Sequence, residues 1–171
     1  MFVRLSAAIA AVSLLSGAAF AAGPTDPQIA HIAYTAGVID VAAAKQALAK
    51  TTNKEVKAFA ENMVSDHEAV NKMALDLCKK LNVTPEDNDT SKTLAKNAAA
   101  KSAELAKLKG ADFDKAYVAN EVAYHTAVDS ALETTLIPGA SNAELKSLLQ
   151  TGLKIFQGHE LHAEHIAAAL K

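Results

Sequence analysis

The chain has 171 residues, 50% of them hydrophobic, with 17 Lys and Arg against 19 Asp and Glu. A slightly acidic chain lacks the basic surface that phosphate binding needs, so no nucleic-acid partner is expected. Its one cysteine, Cys78, excludes an intramolecular disulfide, and abundant Ala and Lys with few β-branched residues favour helix.

The first residues read as a secretory signal. Arg4 supplies a positive start, Leu5 to Leu15 is apolar apart from Ser6 and Ser13, and Ala19-Phe20-Ala21 is a small-x-small cleavage box. Residues 1–21 are therefore expected to be a signal peptide, leaving residues 22–171 as one domain with a sizeable core. The apolar run is too short to span a bilayer, and no integral membrane segment is expected after cleavage. Cys78 lies far from the cleavage box, so no acyl anchor is expected either, and the reading is a periplasmic protein.

A first helix is expected over residues 26–50, with Asp26 as N-cap and Pro27 at the first helical position. Its seam of Ile29, Ala33, Ala36, Asp40, Ala43 and Ala47 alternates spacings of four and three, as packing seams do. Thr52-Asn53-Lys54-Glu55 matches a capping box and opens a second helix running to about residue 82. Val56, Ala60, Met63, His67, Val70, Ala74, Leu77 and Leu81 form the most regular seam of the chain, and His67 is its one polar member.

Thr84-Pro85-Glu86-Asp87 reads as a cap for a short crossover helix. Residues 88–109 carry only a thin stripe of Leu94, Ala98, Leu105 and Leu108, ended by Gly110. A third helix is expected over residues 112–136, burying Phe113, Tyr117, Glu121, Tyr124, Val128 and Leu132, with Val118 and His125 beside them. Pro138-Gly139 is expected to stop it. Ser141-Asn142-Ala143-Glu144 is a second capping box, and it opens a helix with the seam Leu145, Leu148, Gly152, Ile155, His159, His162 and Ile166.

The layout is all-α: two antiparallel hairpins joined by a long crossover holding an extra short helix. That is the ferritin-like four-helix arrangement.

Asp40, His67, Glu121, His125, His159 and His162 fall on these apolar seams. A core excludes such groups unless they are paired or hold a metal. Glu121 and His125 are four apart, and His159 and His162 three apart, so each pair shares a helix face. Carboxylate and imidazole donors on facing helices suit iron, manganese, zinc or copper. Counting rise from the turns puts Asp40 and His67 within about one helical turn, and levels His159 with Glu121 better than with His125.

Several chemistries are disfavoured. No Cys-x-x-Cys-His occurs, which excludes haem c. His159-Glu160-Leu161-His162 is one residue short of the zinc-protease spacing. No Glu-x-x-His pair exists, which argues against a standard di-iron centre. The competing reading is a structural bundle whose same residues form a metal-free hydrogen-bonded network. Asp66 is expected to face solvent or pair within its helix, and Tyr117 and Tyr124 to be core residues.

Two strings add a resemblance. Phe59-Ala60-Glu61-Asn62-Met63-Val64-Ser65-Asp66-His67 and Phe113-Asp114-Lys115-Ala116-Tyr117, with His125 and His159 further on, resemble the exported bacterial ferritin-like proteins grouped as a domain of unknown function (family 4142). Members are often labelled outer membrane proteins, a label that neither barrel strands nor an acyl anchor supports here. The resemblance implies a ferritin-like bundle behind a signal peptide and no established activity. It carries over Asp66, His67, Phe113, Asp114, Tyr117, His125 and His159, and it implies a glutamate where this chain has Asp40.

Overall fold

The computed structural model describes residues 23–170, and the expected signal peptide lies outside them. The described residues form α1 (Asp26–Lys50), α2 (Lys54–Lys80), α3 (Asp89–Lys107), α4 (Gly110–Ala131), a π-helical segment (Leu132–Leu136), a single turn α5 (Ile137–Gly139) and α6 (Ala143–Ala169). No strand occurs among the described residues, which are helical as the composition suggests.

The helix ends differ in detail from the expected caps. Thr25, not Asp26, caps α1, with Gln28 reaching back to its backbone N–H at 3.1 Å. Asn53 caps α2, its Oδ1 accepting from the N–H groups of Glu55 and Val56 at 2.9 and 3.1 Å. Asn142 does the same for α6 with Glu144 and Leu145 at 2.9 and 3.0 Å. In both boxes the short asparagine amide reaches the two free N–H groups beyond it, and the threonine or serine before it is left out. Thr84 to Asp87 stays irregular, and Asn88 caps α3.

Gly110 does not end α3. The break falls at Leu108 and Lys109, both extended, and Gly110 opens α4 at a positive φ of 54°, which glycine adopts without strain. Pro138-Gly139 does not stop the third long helix either, because proline is tolerated in the first turn of α5; the chain leaves the helix at Ala140.

The ends of the helices fix their directions. Asp26, at the start of α1, accepts the N–H groups of Ser141 and Asn142 at 2.8 and 2.9 Å, just before α6. Lys80, at the end of α2, pairs with Glu144 in the first turn of α6. At the other pole Lys50, ending α1, sits 5.2 Å over the Phe113 ring near the start of α4. Helix α1 thus packs antiparallel to α2 and α4, and α6 antiparallel to both of those; α3 lies along the outside of α1.

Two apolar clusters fill the interior. One gathers Phe59, Met63, Phe113, Val118 and Ile166, and the other gathers Ile29, Ile32, Leu132, Leu136 and Leu149. Each such side chain contributes about 1.5–3 kcal/mol when fully buried. Along every long helix of the bundle the two clusters are separated by buried polar residues: Asp40, His67, Glu121, His125, Asp129 and His159. Beside this belt α1 and α2 approach closely at Gly37, where a Cβ would lie 2.2 Å from Asn71 Oδ1.

Candidate metal centre

His67 from α2, His125 from α4 and His159 from α6 converge in the belt, with ring centroids 5.2, 5.7 and 5.7 Å apart. One donor atom from each lies within 4.8 Å of the other two. A tetrahedral ion about 2.1 Å from three imidazole nitrogens would set their ring centroids about 5 Å apart. The three rings therefore stand close to ligating distance with little rearrangement needed.

The hydrogen bonds fix which nitrogen of two of these rings carries the lone pair. His125 Nδ1 lies 2.9 Å from the Glu121 carbonyl oxygen, which can only accept, so Nδ1 carries the proton and Nε2 the lone pair. His159 Nε2 donates to Asp66 Oδ2 at 3.0 Å, which leaves the lone pair on Nδ1. His67 Nδ1 lies 3.5 Å from Asp40 Oδ2, too long for a good hydrogen bond. Nε2 of His125, Nδ1 of His159 and both nitrogens of His67 are buried with no hydrogen-bond partner. An outer acceptor that orients a histidine while its other nitrogen faces a common point is the usual support of a metal ligand.

A second group shares His125. Asp40, Glu121 and His125 also bring one donor atom each within 4.8 Å of one another. Glu121 receives Asn120 Nδ2 on Oε1 at 3.3 Å, while its Oε2 is buried and unpartnered. Asp129, one turn beyond His125, buries both carboxylate oxygens without a partner.

Electrostatics follow from this burial. Desolvation, then repulsion from the other imidazoles, drives His67 far below its ordinary range; desolvation also lowers His125 to about 4 despite its backbone hydrogen bond. Both rings are neutral at pH 7 and have lone pairs to give. Burial raises Glu121 to about 8 and Asp129 to about 7, the latter with help from Glu160. Asp40 is raised well above its usual value by burial and by repulsion from Glu121 and Asp129. Burial and mutual repulsion favour the protonated carboxyls, and a divalent ion beside them would favour the ionised forms instead.

Among the six residues singled out from the seams, the belt brings together Asp40, His67, Glu121, His125 and His159. His162 lies elsewhere: it is exposed, its ring edge-on to Phe59 at 5.2 Å. Two stripes on α6 share Leu145, Gly152, His159 and Ile166, and the bundle buries the one continued by Leu149, Phe156 and Ala163. The expected stripe through Leu148, Ile155 and His162 is rotated by one residue. Phe156, missed for the same reason, stacks on His67 at 4.6 Å and 4°.

The expected level mismatch between His125 and His159 is also corrected, since their rings are 5.7 Å apart. Helix persists to Gly139 and resumes only at Ala143, so the turn sits closer to His159 than residue counting from Pro138 assumed. Asp66 neither simply faces solvent nor pairs within α2; it is half-exposed and crosses to His159. Asp129 was not anticipated, although its position four residues after His125 signals the same face.

An all-helical chain with this belt defines a class of helical bundle with a histidine–carboxylate interior. The chain belongs to the family described as Domain of unknown function (DUF4142), which it matches over residues 12–166. No curated protein and no solved structure matches it.

Proposed function

We propose that the protein is a ferritin-like four-helix bundle that binds a transition-metal ion through His67, His125 and His159, with Asp40 and Glu121 as adjoining carboxylates. The observation that carries this reading is the arrangement of the three imidazoles. Two have one nitrogen on an acceptor and the third has one 3.5 Å from a carboxylate oxygen, while another nitrogen of each is buried without a partner. Leaving such atoms unsatisfied costs about 1–3 kcal/mol each, a cost that an ion would offset. Imidazole donors suit zinc, copper or iron, and the nearby carboxylates extend the range to manganese. The proposed setting is the periplasm, behind a signal peptide of residues 1–21, and the proposed role there is metal sequestration or protection against redox stress.

A metal-free polar network is the weaker reading. Such a network is incomplete: Glu121 Oε2, Tyr117 OH and both Asp129 oxygens are buried without hydrogen-bond partners. Binding also exchanges the ion for protons on the carboxyls, so affinity should rise with pH until Glu121 has ionised, near pH 8.

The test is elemental analysis of untagged protein purified without chelator, followed by titration with zinc, copper, iron and manganese. The expected result is about one ion per chain, lost in the His67→Ala/His159→Ala variant, with helicity retained by circular dichroism. Wild-type protein that carries no metal and takes none up would overturn the proposal.

A further inference from the structure

A slot of about 1060 Å³ runs beneath α3 along α1 and α4 and reaches inward to α2 at Val70 and Ala74 and to α6 at Leu149 and Phe156. It exists because α3 is fixed at its ends and stands clear in the middle. At one end Glu86 N–H donates to Pro27 O at 3.0 Å and Asn88 Nδ2 to Gln28 O at 3.3 Å. At the other, Gln46 Nε2 donates to Ser102 O at 3.0 Å and Lys50 Nζ to Ala106 O at 2.6 Å. Ser91 and Leu105, near the two ends, are the buried residues of α3. Between them Leu94 and Ala98 are only half-buried and line the slot instead of meeting a packed neighbour.

The slot has the dimensions of a chain rather than of a compact metabolite. It borders α1 from Gln28 to Gln46, about 27 Å of helix, which accommodates an extended palmitoyl chain. Its volume exceeds the range of about 300–1,000 Å³ usual for small-ligand pockets. Its walls are mostly apolar, with alanines such as Ala33, Ala123 and Ala127 leaving room where larger side chains would fill it. Phe156 lines its inner side and stacks on His67, so the slot abuts the imidazoles.

Charge selects among chain-like ligands. The whole chain is net −2, yet α3 carries Lys92, Lys96, Lys101 and Lys107 against Asp89 and Glu104; Lys101, the one of these that lines the slot, meets Glu104 at 2.6 Å in an exposed pair that solvent screens and an incoming carboxylate can replace. A basic strap over an apolar slot complements an amphiphile with one alkyl chain and an anionic head. We propose that the slot binds a long-chain fatty acid, its alkyl chain beneath α3 and its carboxylate at the lysine-bearing rim near Lys101. This does not rest on the metal reading, because no belt residue is a ligand to the fatty acid.

The experiment is calorimetric titration of the metal-free protein with palmitate below its solubility limit, with stoichiometry read by native mass spectrometry. The expected result is saturable binding of about one palmitate per chain, at least about 100-fold tighter than octanoate, since affinity grows with apolar area buried. Ala98→Trp fills the slot from α3 and should weaken palmitate at least tenfold with helicity unchanged; Ala127→Trp, from the opposite wall, should do the same if the first variant does not fold. Lys96→Glu/Lys101→Glu should weaken palmitate while leaving hexadecanol unaffected. No saturable binding, or palmitate binding unchanged in a folded slot-filling variant, would overturn the proposal. Equal effects of the charge reversal on palmitate and hexadecanol would overturn its carboxylate part.

Discussion

The apolar clusters and the polar belt between them solve the same packing problem in opposite ways. In the cluster around Phe59 and Phe113 the fully buried side chains are apolar apart from Tyr117, whose hydroxyl is the one polar atom the cluster leaves without a partner. The belt is as deeply buried, with His67, Glu121 and His125 each 1% exposed, yet it leaves donor and acceptor atoms unmatched on nearly every member. Natural cores break the rule of satisfied polar groups mainly where function requires it. Stability therefore resides at the two poles of the bundle, and the middle is held in a costly arrangement by them.

The largest expected effect tests the apolar side of that contrast. Phe59→Ala removes a fully buried ring and should cost about 3–5 kcal/mol in chemical denaturation. Metal stoichiometry should survive wherever the variant stays folded. A cost below about 1 kcal/mol would mean that the pole does not carry the fold.

A smaller effect tests the belt. In metal-free protein Glu121 keeps its proton up to about pH 8, whereas an unfolded glutamate loses it near 4.5. Between those values the folded state binds more protons than the unfolded one, so stability falls as pH rises, by up to about 1.4 kcal/mol per pH unit for one group. His67 and His125 act oppositely: their folded values lie below 6.5, so their contribution is lost as pH falls below 6.5. Above pH 6.5 unfolded His67 and His125 progressively lose the protons that the folded rings already lack, a contribution shared by wild type and Glu121→Gln, so the difference between the two isolates Glu121. Denaturation midpoints measured from pH 6.5 to 8 should fall less steeply in Glu121→Gln than in wild type. An unchanged slope would show that Glu121 is already ionised in the metal-free fold.

The smallest effect belongs to the surface, outside both regions. Lys72 and Asp76 pair at 2.6 Å with both side chains mostly exposed. Lys72→Ala should shift stability by less than about 0.5 kcal/mol, because solvent screens the pair. A larger loss would mean that the surface shares the work assigned here to the poles.

Much of the helical layout was legible in the residues because apolar periodicity records which face each helix buries. The seam of α2 through Val56, Ala60, Met63 and His67 is buried as its spacing predicts. Where two stripes are equally apolar, as on α6, periodicity cannot choose between them; the neighbours do, and Phe156 and Ala163 enter the core in place of Ile155 and His162. Caps were misplaced by a residue because Thr, Ser, Asn and Asp all have capping oxygens, and loop geometry decides which one reaches the free N–H groups. The convergence of Asp40, His67, Glu121, His125 and His159 depended on how the two hairpins align, which no spacing within one helix encodes. The slot under α3 left only an indirect trace, the thinness of its Leu94–Ala98 stripe.

The hydrogen bond from His159 to Asp66 joins residues 93 apart in the chain, and the bond from Asn142 to Asp26 joins residues 116 apart. Such long-range closures come late in folding, because the intervening chain must surrender its freedom before either bond forms. As the polypeptide is synthesised, α1 and α2 can pair as soon as they emerge, but Asp26 waits for the start of α6 and the imidazole of His67 waits for its far turn. The last helix thus completes both the latch at one pole and the cluster at the centre. A chain cut short within α6 before His159 would hold helical structure yet lack the three-imidazole face, so the centre can be assembled only once α6 has been made.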